Sequence, residues 1–324
     1  MNATRAFLAS ACAIALVASC HRSVQVSSGD EHMSHMNAAD LGAPAGTFAA
    51  SQGNMALPPS NNQSKARLES SPRHGEWVKL AWEPGSKDSL MAWIVYPSTS
   101  NPKTPVVVVV HEIFGLSSWV RGVADQVAAD GFIAIAPDLN SRVRGGPSTE
   151  ELSGDSARKI ISGVSIPERN RGIIAVAKYA MSQPSAAQRY AVIGYCWGGS
   201  TVWGHAVNGG TDGFRGGVAF YGNFPYMNNG VPVADSMAKI GRPVMLLSGS
   251  KDARIGAAMP AIDSTMKSMK KSYVGINYEG ADHGFLRAQD DPKTPRDEPN
   301  ERANIAATKD GWPRTLAFLR ANLK

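Results

Sequence analysis

Tyr190-Ala191-Val192-Ile193-Gly194-Tyr195-Cys196-Trp197-Gly198-Gly199 decides the reading of this 324-residue chain. Tyr190 to Ile193 is a short apolar run that predicts a buried strand, and the pattern from Trp197 onward predicts a helix. The turn between them carries glycines two residues before and after Cys196. That spacing is the pattern of a nucleophile presented on a sharp strand-to-helix bend, with a thiol in place of the usual hydroxyl. Glycine is needed at both flanks because side chains there would collide with neighbouring backbone. The bend also sets Cys196 at a helix N-terminus, where unpaired N–H groups and the helix dipole favour a thiolate. The plainer reading is an inert, buried cysteine in a glycine-rich turn, and the strand–turn–helix context argues against it.

Working outward, Val106 to Val110 is a continuous β-branched run, typical of a strand covered on both faces of a parallel sheet. Ser117 to Asp130 has a helical repeat with Val120, Val123, Ala124, Val127 and Ala128 on one side. Phe132 to Ala136 predicts the next strand and Ile166 to Met181 the next helix. Val218–Phe220, Val244–Leu247 and Val274–Tyr278 predict three further strands, and Trp312 to Asn322 a closing helix. Before all of these, Trp77–Trp82 and Ser89–Tyr96 predict an antiparallel pair joined at Pro84-Gly85. Strands alternating with helices imply a mainly parallel sheet with helices on both faces. With the bend at Cys196 and the antiparallel opening, the expected class is α/β, of the α/β-hydrolase arrangement, over residues 76–324. Three polar, poorly periodic stretches, Arg142–Ile166, Asn223–Ile240 and Ala288–Lys309, are expected to be lid or substrate loops.

A thiol nucleophile needs a base, and the base an orienting group. In this fold the chain order is nucleophile, acid, histidine, each just beyond a strand. Asp252 leaves the strand Val244–Leu247 and is the expected acid. His283 leaves Val274–Tyr278 and is the expected base. Asp282 competes as the acid, but adjacency to His283 should turn its carboxylate elsewhere. His205 competes as the base, although its helical position suits a satisfied core histidine better. The loop after Val106–Val110 reads His111-Glu112-Ile113-Phe114. The main-chain N–H groups of Ile113 and Trp197 are the expected oxyanion donors. Glu112 is unusual there, since a carboxylate beside an oxyanion site disfavours negative charge unless it has a partner. Its plain alternative is a surface ion-pair residue.

Glu112-Ile113-Phe114-Gly115, Gly194 to Gly199, Asp252 and Gly280-Ala281-Asp282-His283-Gly284-Phe285 together resemble the dienelactone hydrolase (carboxymethylenebutenolidase) family. The resemblance runs from about Gly75 to the C-terminus. It implies a Cys196–Asp252–His283 triad and a Glu112 that contacts the resting thiol and helps to ionise it. It also implies that Arg287 binds a substrate carboxylate. A second carboxylate-binding arginine of that family would fall in Arg142–Ile166, where Arg142, Arg144 and Arg158 are the choices. The implied reaction is hydrolysis of an ester or lactone, with no metal and no organic cofactor. Two alternatives stay open: a general carboxylesterase without lactone preference, and a non-catalytic envelope lipoprotein that keeps the fold.

The first twenty residues have the form of a targeting segment, with Arg5 ahead of the apolar stretch Ala6 to Ala18. Val17-Ala18-Ser19-Cys20 resembles the box read by lipoprotein signal peptidase, which would make Cys20 a lipidated first residue and attach the protein to a membrane. The alternative is an ordinary export signal cut near Ala18 or Ser19. Residues 21–75 are expected to be a disordered linker, rich in Ser, Ala, Asn and Gly. Its His32-Met33-Ser34-His35-Met36 could hold a soft metal, though a solvated linker is the simpler reading. Of three cysteines only Cys196 remains in the folded part, which excludes a resolving disulfide partner. The net charge of +6 is scattered rather than clustered, so no nucleic-acid partner is expected.

Overall fold

A computed structural model describes residues 53–83, 85–99, 102–148, 154–290, 295 and 298–324. The expected signal segment, Cys20 and the His32–Met36 cluster lie outside the described residues. The strand Val106–Val110 belongs to β3 (Thr104–Val110) near the middle of an eight-stranded sheet of order β1-β2-β4-β3-β5-β6-β9-β10. β1 (Gly75–Ala81) and β2 (Ser89–Val95) pair antiparallel, and β2 pairs antiparallel with β4 (Ile133–Asp138). From β4 onward all pairings in this sheet are parallel, through β5 (Ala186–Tyr195), β6 (Phe214–Phe220), β9 (Val244–Gly249) and β10 (Tyr273–Tyr278), while β7 (Met227–Asn228) and β8 (Val231–Pro232) form a separate antiparallel ribbon.

The alternation of side chains along β3 builds two cores at once. Val106, Val108 and Val110 face one cluster, with Ile173 and Val176 of the helix Ile166–Met181 and Val202 and Trp203 of the helix Trp197–Asn208. Val107 and Val109 face the other, with Trp119 and Val123 of the helix Ser118–Ala129 and Trp312 and Leu319 of the last helix. All five valines are fully buried, which is why the run shows no polar alternation.

Three expectations on extent are corrected. The linker does not continue to residue 75: Leu57, Ser64 and Arg67 are buried, and Ser64–Glu69 forms a helix, α1, against Ser118–Ala129. Its composition concealed this because polar atoms do the packing. Arg67 donates to Leu57 O at 2.7 Å and to Gln126 Oε1 at 2.6 Å, both in the interior. The closing helix begins at Pro299 rather than Trp312 and runs to Asn322. Pro313 lies inside it, and the earlier turns bury polar residues, Glu301, Asn304 and Thr308, which hide the apolar period. Finally, Ala253–Ser268 is a helix that was not expected, with Pro260 inside it. The stretch Arg142–Ile166 also contains short helices at Ser141–Arg144 and Gly154–Ser162.

The bend after β5 packs backbone directly against backbone. Cys196 has φ 54° and ψ −115°, a conformation that non-glycine residues rarely adopt. A Cβ on Gly198 would lie 2.4 Å from Val110 O and 2.5 Å from His111 O, so backbone from β3 touches backbone of the bend. Gly198→Ala should therefore cost on the order of 3 kcal/mol by forcing β3 and the bend apart. Urea unfolding checks this: a midpoint unchanged from wild type would mean that the two segments separate freely.

Candidate active site

Cys196, Asp252 and His283 stand beyond the carboxyl ends of β5, β9 and β10, where ligands bind in open parallel sheets. The structure brings the three together. His283 Nδ1 lies 2.5 Å from Asp252 Oδ2. Asp252 is fixed in turn, as the N-cap of the helix Ala253–Ser268, by the N–H of Ile255 at 3.2 Å. The other ring nitrogen, Nε2, is buried with no aligned hydrogen-bond partner, and Cys196 is the neighbour that acts on it. Burial pulls the His283 pKa down. The Cys196 charge, the hydrogen bond that the ring donates to Asp252 and the Asp252 charge outweigh burial and lift it to about 10. For Asp252, burial acts upward but its bond to His283 wins and holds it below the usual carboxylate range.

Glu112 is 4% exposed, so it is not a surface ion-pair residue. Burial raises its pKa, opposed by the charges of Arg287 and His283. Arg287 supplies its partner: Nε lies 3.4 Å from Glu112 Oε2, with the guanidinium 5.0 Å from the centre of the Phe114 ring. The arginine expected to meet a substrate thus already holds the buried Glu112 carboxylate.

Ile113 is buried in a turn closed from Gly115 N to Glu112 O at 3.4 Å. Trp197 is the first residue of its helix, so its N–H has no intrahelical acceptor. Its indole is stacked on His111, ring centres 5.4 Å apart, and lies 4.2 Å from the Arg169 guanidinium. His111 itself is neutral and structural. Leu139 N–H donates to Nε2 at 3.0 Å, so Nδ1 carries the proton and donates to Glu112 O at 2.5 Å. Burial lowers the His111 pKa, which agrees with a neutral ring.

The competing residues separate cleanly. His205 is fully enclosed, bonded to Tyr190 Oη at 2.9 Å and to Asn170 Oδ1 at 2.6 Å, and burial drops its pKa to about 3. Asp282 accepts from Asn304 Nδ2 at 3.0 Å and so faces the last helix. Of the three arginines proposed for a second carboxylate contact, Arg142 is bound to Glu168 and lies over Trp82, and Arg158 reaches Asp155 on its own helix at 3.5 Å. Arg144 ends the short helix Ser141–Arg144.

Residues that sequence reasoning missed are Tyr221, His111 and Arg169. Tyr221 follows β6 with φ 40°, fully buried, its ring 5.1 Å from His283 and its hydroxyl without a hydrogen-bond partner. The strained, buried position after a strand was the only signal, and it is invisible without coordinates. Among the described residues no group of three or more His, Cys, Asp or Glu is arranged to hold a metal, and no helix is long and apolar enough to cross a membrane.

Sheet order, bend and converging side chains define an α/β hydrolase. The dienelactone hydrolase family model matches residues 90–323, and the chain belongs to that family. A Salmonella typhimurium protein named "Putative carboxymethylenebutenolidase" is 27% identical over 243 residues, covering 72% of this chain and 84% of the relative. A Bradyrhizobium protein named "Probable 2-oxo-3-(5-oxofuran-2-ylidene)propanoate lactonase" is 26% identical over 256 residues, 76% of this chain and 94% of the relative. In fold, the chain resembles the crystal structure of a "Putative Dienelactone Hydrolase" from Klebsiella pneumoniae, with TM-score 0.59 and 24% identity over 76% of this chain and 99% of that one.

The His283 pKa gives the sign of a pH effect. A folded value near 10, above the ordinary 6.5, means the ring contributes stability fully below about pH 6.5 and loses it as pH rises through 10. The lowered Asp252 contributes above its ordinary 3.8 and is lost as acid takes the pH through its folded value. By NMR the His283 imidazolium should persist to about pH 10 in the wild type and titrate lower in Cys196→Ala. Identical titrations in the two proteins would mean that the sulfur does not act on the ring.

Proposed function

We propose that this protein hydrolyses an ester or lactone through a Cys196 thioester, with lactones preferred and a substrate carboxylate recognised by Arg287. The observation that carries the reading is the short Asp252–His283 bond aimed at a cysteine on a strained helix-starting bend. The relatives named as a carboxymethylenebutenolidase and a lactonase support the choice of bond and the lactone preference.

His283, already an imidazolium held by the Asp252 carboxylate, stabilises the Cys196 thiolate that forms when the thiol proton passes to Glu112. The thiolate attacks the carbonyl carbon, and the new oxyanion accepts from the Ile113 and Trp197 N–H groups. Collapse re-forms the carbonyl and breaks the carbon–oxygen bond, with the imidazolium proton going to the leaving alkoxide. In a lactone that alkoxide stays attached to the acyl chain. Water, deprotonated by His283, then attacks the thioester, and the acid leaves as the proton returns to sulfur.

Glu112 adds a response to substrate. While Arg287 holds it, Glu112 is kept towards its ionised form; when Arg287 turns to a substrate carboxylate, burial raises the proton affinity of Glu112. Glu112 is then able to draw the proton from the neighbouring thiol. The same exchange ties ionisation of the nucleophile to the presence of an anionic substrate.

Purified Cys196→Ala should lose at least about a thousandfold in turnover of aryl esters and lactones; turnover equal to wild type would refute the nucleophile. Arg287→Ala should raise KM for carboxylate-bearing esters about tenfold or more while changing neutral esters little. Equal changes for both would remove Arg287 from carboxylate recognition.

We also propose export and lipid attachment at Cys20, on the Val17–Cys20 box alone. Expressed in a bacterium fed a labelled fatty acid, the full chain should take up label, and Cys20→Ala should not. Label retained in Cys20→Ala would place the lipid elsewhere.

A further inference from the structure

The arginine given the substrate carboxylate in the proposed reaction sits on a single helical turn, Phe285–Ala288. Four residues cannot hold a helix by themselves, since nucleating one turn fixes several dihedrals for one hydrogen bond. Something else must set the position of Arg287.

The segment 53–70 does so at three points. Asn61 N–H donates to Arg287 O at 2.9 Å. Gln289 Nε2 donates to Pro58 O at 3.1 Å, and Gln63 Nε2 donates to Asp290 Oδ2 at 2.5 Å. Gln63 is used twice, because its Oε1 also accepts from Ser60 N at 3.1 Å and stiffens the turn that carries Asn61. Gln63 and Gln289 are 3% and 5% exposed, so the bonds to Pro58 and Ser60 are buried and the one to Asp290 partly so.

The far side of the same segment is anchored to the helix Ser118–Ala129. Trp119 Nε1 donates to Pro59 O at 3.0 Å, Ser64 Oγ meets Ser118 Oγ at 3.1 Å, and Arg67 joins Leu57 O to Gln126. That helix packs on the sheet beside β3, from which Glu112 emerges. The segment therefore bridges the scaffold below Glu112 to the backbone of the arginine that pairs with Glu112.

We infer that residues 53–70 are a positioning strap for Arg287, and that Gln63 and Gln289 act through it to set the preference for carboxylate-bearing substrates. This rests on Arg287 being the carboxylate-binding group.

The test compares kcat and KM for a carboxylate-bearing aryl ester and its neutral methyl-ester analogue in the full chain. Gln63→Ala, Gln289→Ala and the milder Gln289→Asn are assayed beside Arg287→Ala, well below each protein's unfolding midpoint. The strap variants should lower the anionic-to-neutral ratio of kcat/KM about five- to tenfold, mostly through KM, the equivalent of one or two modest hydrogen bonds. In an Arg287→Ala background they should lower it no further. If Arg287→Ala loses selectivity and the strap variants keep it, the strap inference is overturned while the reading of Arg287 stands. A further loss in the Arg287→Ala background would also overturn it, as general loosening. If Arg287→Ala itself keeps selectivity, the carboxylate reading fails first and the strap inference with it.

Discussion

The contact between the backbone of β3 and the bend after β5 is the constraint on which the rest depends. Only because Gly198 has no side chain can the bend approach Val110 and His111 closely. That approach forces Cys196 to φ 54° and makes it the first residue to cap the following helix. It also brings the loop that leaves β3 against Trp197, whose indole stacks on His111. The thiol and both proposed oxyanion donors therefore owe their relative places to one pair of adjacent parallel strands. Strain at such a bend is sustained by the valine-rich core on either side, which leaves β3 no room to shift.

The electrostatics follow from burial rather than from net charge. Glu112 and Asp252 are the buried carboxylates of the site, and each has a cationic or protonatable partner within hydrogen-bonding or ion-pair range. Such pairs are poor sources of stability, because desolvating both charges offsets much of their attraction. Their value is in opposing directions of pKa: Asp252 is held down and Glu112 is pushed up. One carboxylate is thereby suited to remain an anion that orients His283, and the other to exchange a proton. The scattered +6 charge of the chain has no part in this.

Much of that arrangement was legible in the sequence because it is local. Gly194 to Gly199 writes its own backbone geometry, and Asp252 and His283 each follow a recognisable strand. Positions on strand ends converge once the strand order is known, so three residues far apart in the chain could be assigned together. What could not be read is what depends on side chains meeting across elements. The Arg287–Glu112 pair, His111 locked neutral between Leu139 and Glu112, and Tyr221 against His283 have no periodicity and no motif. The same holds for the extent of the ordered chain. Residues 53–70 are polar in composition, and polar composition ordinarily means solvation.

That last case shows why composition failed. A segment with few apolar side chains can still be ordered when its polar atoms find fixed partners, since a buried donor or acceptor left unpaired is costly. Arg67 meets Leu57 and Gln126, Gln63 meets Ser60 and Asp290, and Trp119 meets Pro59. These bonds lie far from Cys196 in sequence, yet the segment they fix meets the Arg287 carbonyl through the Asn61 N–H. A hydrogen-bonded strap fixes direction better than an apolar contact, because donor and acceptor must align as well as touch. Directional bonds suit the proposed exchange of Arg287 from Glu112 to a substrate carboxylate.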